Sequence, residues 1–127
     1  MASRQKLVLE FEIRSSPTIL FNYISTPSGL VEWFADDVNI RKGKEYTFHW
    51  DGDESAAMLV KKVSGKYIRF HWEDSEEGEY FEFEIKKDEL TNDIALVITD
   101  WCDEGDAEET ELLWESQVAD LRNALGA

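Results

Sequence analysis

One cysteine, two histidines, two prolines and two methionines are all that the 127 residues hold of those types. Cys102 alone cannot close an internal disulfide, and no cysteine-built zinc site is open to the chain. No apolar run approaches the ~20 residues that a membrane-spanning helix needs. The opening stretch MASRQKLVLEFEIR alternates apolar and polar residues where a signal peptide requires an unbroken apolar core. The sequence carries no Gly-x-Ser-x-Gly elbow, no His-Glu-x-x-His helix and no glycine-rich phosphate loop, so the usual frameworks for nucleophilic, zinc-hydrolytic and nucleotide chemistry are missing. Basic residues are also scarce, 13 Lys and Arg against 28 Asp and Glu, a net charge of −15. Phosphate backbones and anionic membranes are bound through basic patches that this sequence does not show, so neither nucleic acid nor membrane insertion is expected. The expectation from these absences is a cytoplasmic, globular chain forming a single domain over residues 1–127, with no cofactor.

Aromatic residues, by contrast, are plentiful: seven Phe, five Trp and four Tyr. So many rings in so short a chain imply a very full core or an aromatic-lined pocket. Acidity is the second excess, and it is regional. Residues 1–72 carry ten Lys/Arg and nine Asp/Glu; residues 73–115 carry eighteen Asp/Glu against only Lys86 and Lys87; Asp120 and Arg122 cancel in the tail. A solvated surface is the simpler reading of region 73–115. A docking surface for a basic protein partner, or a weak cation site, is the sharper one.

Periodicity orders the chain. Leu7, Leu9, Phe11 and Ile13 alternate with Lys6, Val8, Glu10 and Glu12, a strand with one buried face. Ser16–Pro17 and Thr26–Pro27 each read as an N-cap followed by proline in the first helical turn. They predict a short helix over Thr18–Ile24 and a second carrying Leu30, Val31, Trp33 and Phe34. Five strands joined by short turns follow, at Glu45–Trp50, Ala56–Lys62, Tyr67–Glu73, Tyr80–Lys87 and Ile94–Trp101. Asp51–Gly52–Asp53, Ser64–Gly65 and Glu76–Glu79 supply the first turns. From Ala107 to Leu125 the period changes, with Trp114, Val118, Leu121 and Leu125 along one helical stripe. The order β-α-α-β-β-β-β-β-α predicts an α+β chain: a six-stranded curved antiparallel sheet wrapped around a long C-terminal helix, the helix-grip fold.

Several segments together resemble the START-like, or SRPBCC, superfamily. They are Ser16-Pro17, Ile24-Ser25-Thr26-Pro27, Glu32-Trp33-Phe34, Lys42-Gly43-Lys44-Glu45-Tyr46, Gly65 to Trp72, and Thr99-Asp100-Trp101-Cys102-Asp103 before a helix with Trp114 and Leu121. Within the superfamily the chain looks most like the activators of the heat-shock chaperone ATPase and their bacterial relatives. The resemblance implies a helix-grip fold with a cavity between sheet and C-terminal helix, which in relatives often accepts an apolar ligand. Superfamily functions are diverse, including lipid transfer, polyketide cyclisation and chaperone activation, so fold alone transfers function weakly.

The rings give the candidate site. Phe48 and Trp50, Ile68, Phe70 and Trp72, and Phe81, Phe83 and Ile85 share one parity, opposite Glu45, Thr47, His49, Arg69, His71, Glu82 and Glu84. Phe11, Phe48, Trp50, Phe70, Trp72, Phe83, Trp101, Trp114, Val118 and Leu121 are therefore the expected lining of a cavity for an apolar or aromatic small molecule. A non-catalytic binding role is the first reading. A protein-interaction or chaperone-activator-like module using region 73–115, and a cyclase- or hydrolase-like enzyme, are the alternatives. No catalytic residue is nominated, because no carboxylate falls in the apolar parity set. For strand Ile94–Trp101 both parities are apolar enough to face inward, so its register is open, as is the oligomeric state. His49 and His71 sit on strands about 10 Å apart, too far for one zinc without a third ligand. Asp100 to Glu111 nearly matches a calcium loop, with Gly105 sixth and Glu111 last, but Cys102 stands at the third position. Acidic residues that favour a helix N-terminus, with Asp106 or a neighbour as cap, explain that cluster more simply, and no metal is expected. Cys102, among acidic neighbours that oppose a thiolate, reads as a structural thiol.

Overall fold

The computed structural model describes residues 3–126. Its elements run β1 (Arg4–Ile13), α1 (Pro17–Ser25), α2 (Pro27–Leu30), β2 (Asp37–Arg41), β3 (Glu45–Trp50), β4 (Asp53–Val63), β5 (Tyr67–Trp72), β6 (Phe81–Lys87), β7 (Ile94–Asp103) and α3 (Ala107–Leu125). The strands form one antiparallel sheet in the order β1-β7-β6-β5-β4-β3-β2. The predicted helix-grip architecture is present, with seven strands in place of the expected six. The extra one, β2, pairs with β3 from Asp37 opposite His49 to Arg41 opposite Glu45. Its two inward residues, Val38 and Ile40, are too few to make a period-two signal.

Both capping signals hold. Ser16 Oγ accepts a hydrogen bond from the Ile19 amide at 3.1 Å, and Thr26 Oγ1 accepts one from the Gly29 amide at 3.0 Å. The second helix is shorter than expected: α2 ends at Leu30, and Val31–Phe34 continue as a turn. Gly29 is required where α2 crosses α1, because a Cβ there would collide with the backbone of Asn22 and Tyr23. Asp106 occupies the N-cap position of α3, yet its side chain makes no capping bond. The first turn is instead favoured by Glu108 and Glu109 near the positive end of the helix dipole. Gly126, at φ 73°, closes the helix in the left-handed conformation.

The core lies between the inner face of the sheet and α1, α2 and α3. Alternation along β1 places Leu7, Leu9, Phe11 and Ile13 inward, while β3, β5 and β6 contribute Tyr46 and Phe48, Ile68 and Phe70, and Phe81 and Phe83. From α3, Trp114, Val118 and Leu121 close over them. In β7, Ile94, Leu96 and Ile98 belong to the core cluster. That settles the open register: even-numbered residues of β7 face inward, which places Asp100 inside and Trp101 outside.

Candidate functional site

Inward parity brings most of the predicted lining together. Phe48, Phe70, Phe83, Val118 and Leu121 are fully buried, Trp114 nearly so, and Trp50, Trp72 and Phe11 are half-buried against the same cluster. Trp101 is the exception. It pairs across the ladder with Lys6 and meets the Tyr80 ring at 6.4 Å on the outer face. Its assignment to the cavity lining is corrected by the β7 register.

The residue that decides the interior is one the sequence reading left out of the site. Phe34, 4% exposed, projects from the turn after α2 into the middle of the ring cluster. It stacks on Trp114 at 5.8 Å between centroids and 11° between planes. Phe48, Trp50, Phe81 and Phe83 surround it at 5.1–5.9 Å. Polar ring edges are tied to backbone: Trp50 Nε1 donates to the Phe34 carbonyl at 2.6 Å, and Trp33 Nε1 to that of Tyr23 at 2.8 Å. Rings at 4.5–7 Å in tilted and stacked pairs are packed as a protein core is packed. Where the helix-grip resemblance implies a cavity between sheet and α3, this chain places Phe34. A recess of about 280 Å³ remains at the rim, lined by Trp33, Phe34, Trp50, Gln117 and their neighbours.

A half-buried carboxyl on the inner face is the second feature missed. Asp100 Oδ2 accepts from Trp114 Nε1 at 2.9 Å, and Oδ1 from the Trp101 amide at 2.8 Å. Burial pushes its pKa above the ordinary carboxylate value, against the lowering effect of those two hydrogen bonds. With β7 undetermined in register, the sequence could not assign Asp100 to the inner face. Beside it the sheet is notched. β6 begins only at Phe81, so Trp72 of β5 and Asp100 and Trp101 of β7 border a recess of about 190 Å³ with Arg4, Ser75, Glu79 and Tyr80. Trp101 Nε1 is buried at this edge and, among the described residues, has no hydrogen-bond partner.

Glu79 ties the notch together. It is 7% exposed, and its carboxylate takes two bonds from Arg4, Nη2 at 2.7 Å and Nε at 2.9 Å, while Arg4 Nη1 reaches Asp103 at 2.9 Å. The Arg4 guanidinium holds the Glu79 pKa below its ordinary value. So region 73–115 is not uniformly a solvated surface, because one of its glutamates is a buried structural anchor. The near-match to a calcium loop also dissolves: Asp100 is committed to Trp114 and Asp103 to Arg4. The two histidines belong to separate networks, His49 with Asn39 and Glu54, His71 with Ser75 and the Glu79 carbonyl. No described helix is long and apolar enough to cross a membrane.

Comparison with known proteins agrees with this architecture. A family model described as a START-like superfamily domain matches residues 1–127. The solution structure of BfR322 from Bacteroides fragilis is similar at 39% identity, covering 98% of this chain and 93% of that one, with a TM-score of 0.68. The Aha1 dimer from Colwellia psychrerythraea shares the fold at 19% identity and a TM-score of 0.79, over 95% of this chain and 96% of that one. DynU16, from the dynemicin biosynthetic locus, shares it at 13% identity and a TM-score of 0.79, over 96% of this chain and 47% of its own. No curated protein matches the chain.

Proposed function

The chain belongs to the START-like superfamily, and on that premise we propose that it acts as a protein-interaction module for a basic partner, not as a container for an apolar ligand. The observation that carries this reading is Phe34. Its ring, set between Trp114 and the sheet rings, takes the space that a ligand would need. Function then falls to the surface. The acidic loops 73–80 and 103–106 meet at Arg4, and α3 leaves the same end of the sheet carrying exposed Glu108, Glu109, Glu111 and Glu115. Among them Leu112 and Leu113 are each 60% exposed, an apolar pair on an anionic helix face. That combination suits a cationic amphipathic segment, attracted over the distance of a Debye length and held by apolar contact. The similarity to the Aha1 dimer supports a working life in contact with other chains.

The test is an NMR titration of the whole chain with a Lys/Leu amphipathic peptide. Amide shifts are expected at 73–77 and 104–115, weakening as salt rises and in the E108K/E109K/E111K variant. In parallel, apolar ligands should leave tryptophan emission and Tm unchanged. A fatty acid or sterol that shifts both, with the peptide silent, overturns the proposal and restores the ligand reading, with Trp50 and Trp72 at its mouth.

A further inference from the structure

On the outer face of the sheet, where alternation predicts a charged, solvated surface, there is a groove of about 540 Å³ lined by Val60, Arg69, His71, Ser75, Glu77, Gly78, Glu79 and Tyr80. Three local devices build it. A bulge between Leu59 and Lys61 inserts Val60 into β4, leaving that side chain 55% exposed beside β5. The loop 73–80 folds back over the outer face and is fixed twice, by the Arg4–Glu79 pair and by His71, whose Nδ1 donates to the Glu79 carbonyl at 2.7 Å. The third device is a wall in which the Arg69 guanidinium stacks on the Tyr80 ring, 4.0 Å from its centroid.

The groove has a polarity that the rest of this end lacks. Three cations, Arg4, Lys6 and Arg69, gather around Tyr80 and Glu79: Lys6 Nζ lies 5.8 Å from the Tyr80 centroid, Arg69 stacks on the same ring, and Arg4 is bonded to Glu79. The facing carboxylates are largely committed. Glu79 is spent on Arg4, and Glu82 on Arg69 Nε at 2.9 Å; among the described residues, Glu77 is the lining carboxylate without a partner. Among the described residues, the two Nη groups of Arg69 and Nε2 of His71 have no hydrogen-bond partner. Because Nδ1 of His71 donates to a carbonyl, Nε2 of the neutral ring is an acceptor and leaves the recognition of an anion to Arg69. Arg69 and His71 are two apart on one strand, so both project from the same face.

We propose that this groove is a binding site for a small amphipathic monocarboxylate, its carboxylate on the free Nη edge of Arg69 and its apolar body along Val60 and the Tyr80 ring. A planar guanidinium edge recognises a carboxylate by two parallel hydrogen bonds, and the volume suits a small organic molecule. The site is separate from the ring-packed interior; it shares loop 73–80 with the docking surface, but its recognition elements, Val60, Arg69 and Tyr80, lie outside the segments 73–77 and 104–115 expected to meet a basic partner.

The experiment is an NMR titration of the full chain with octanoate, with 1-octanol as the uncharged control. Octanoate should shift the Val60 methyls and the Gly78 amide at millimolar concentration, and octanol should bind at least about tenfold more weakly. The paired variant R69Q/E82Q, which removes the guanidinium without stranding its partner, should weaken octanoate by a similar factor. Val60→Asp, at an exposed bulge, places a repelling carboxylate in the groove and should do the same if the paired variant folds poorly. Shifts concentrated at Phe34 and Trp114, equal affinity for octanol, affinity unchanged in the variants, or no shift at all would each overturn the proposal.

Discussion

The two ends of the sheet differ in charge and in what lies beneath them. The turn after β3, loops 73–80 and 103–106, and the start of α3 share one end, because β3, β5 and β7 run in the same direction. That end collects Asp51 and Asp53 from the first half of the chain with Glu73, Asp74, Glu76, Glu77, Asp103, Glu104, Asp106, Glu108 and Glu109 from the second. The opposite end holds Arg14, Lys42, Lys44, Lys62, Lys66, Lys86, Lys87 and Arg122, along with Asp88, Glu89 and Asp93. Under the acidic end the core is mostly aromatic, with Phe34, Phe48, Trp50, Trp72, Phe81 and Trp114; under the other it turns aliphatic, with Ile13, Leu20, Ile24, Ile94 and Leu96. The chain is therefore polarised along the strands, a property the linear charge count blurs. Carboxylates at the acidic end have three fates: paired and buried (Glu79), half-buried with neutral donors (Asp100), or solvated (Glu76, Glu77).

Breaking the aromatic packing should have the largest effect. Phe34→Ala removes the ring at the centre of the cluster and should cost about 3–5 kcal/mol in urea unfolding, with Phe34→Leu recovering a good part of it. A loss under 1 kcal/mol would show that the interior closes without that ring, and would weaken the argument against a cavity. Next comes Glu79. Since Arg4 is about a third exposed, water softens the loss of the pair, and Glu79→Gln should cost about 1–3 kcal/mol at neutral pH.

The two carboxyls withdrawn from solvent, Glu79 fully and Asp100 in part, should answer pH in opposite directions. The folded pKa of Glu79 is depressed, so its contribution is present above the unfolded value of 4.5 and is lost as pH falls through the folded one. The gap between wild type and Glu79→Gln should shrink on acidification. For Asp100 the folded pKa is raised, so ionisation weakens the fold above that pKa and ceases to matter once pH falls below the unfolded 3.8. Asp100→Asn keeps an acceptor for Trp114 and should equal or exceed wild-type stability at pH 7, the advantage vanishing toward pH 3. Denaturation midpoints of both variants across pH 3–8 check the contrast; parallel curves would refute it. The smallest effect belongs to the solvated acids: E76Q/E77Q should stay within about 0.5 kcal/mol of wild type, or gain slightly as repulsion falls.

Much of this was legible before the fold was known. Helix starts at Ser16 and Thr26 were written in cap-and-proline pairs whose geometry is local. The inward parity of Phe48, Phe70, Phe83 and Trp114 followed from alternation and helical period, since a side chain's face depends only on its place along its own element. Phe34 was visible as a residue but not as a plug: it sits in a turn without periodicity, and its destination depends on how α2 approaches α3.

By itself, then, the sequence determined the element order, the faces of β1, β3, β5, β6 and α3, and hence the helix-grip fold, because each of these rests on a periodicity carried within one segment. Tertiary structure alone decided what needed a partner strand or an end of the sheet. In β7, Ile94, Leu96 and Ile98 compete with Ala95, Val97 and Thr99, and only pairing with β1 and β6 sends Asp100 inward and Trp101 outward. β2 exists because β3 offers an edge to two apolar residues. Glu79 differs from Glu76 and Glu77 only because Arg4, seventy-five residues away, arrives beside it. An isolated strand fixes which residues share a face; which face is covered, and which charge meets which, is fixed when the strands assemble.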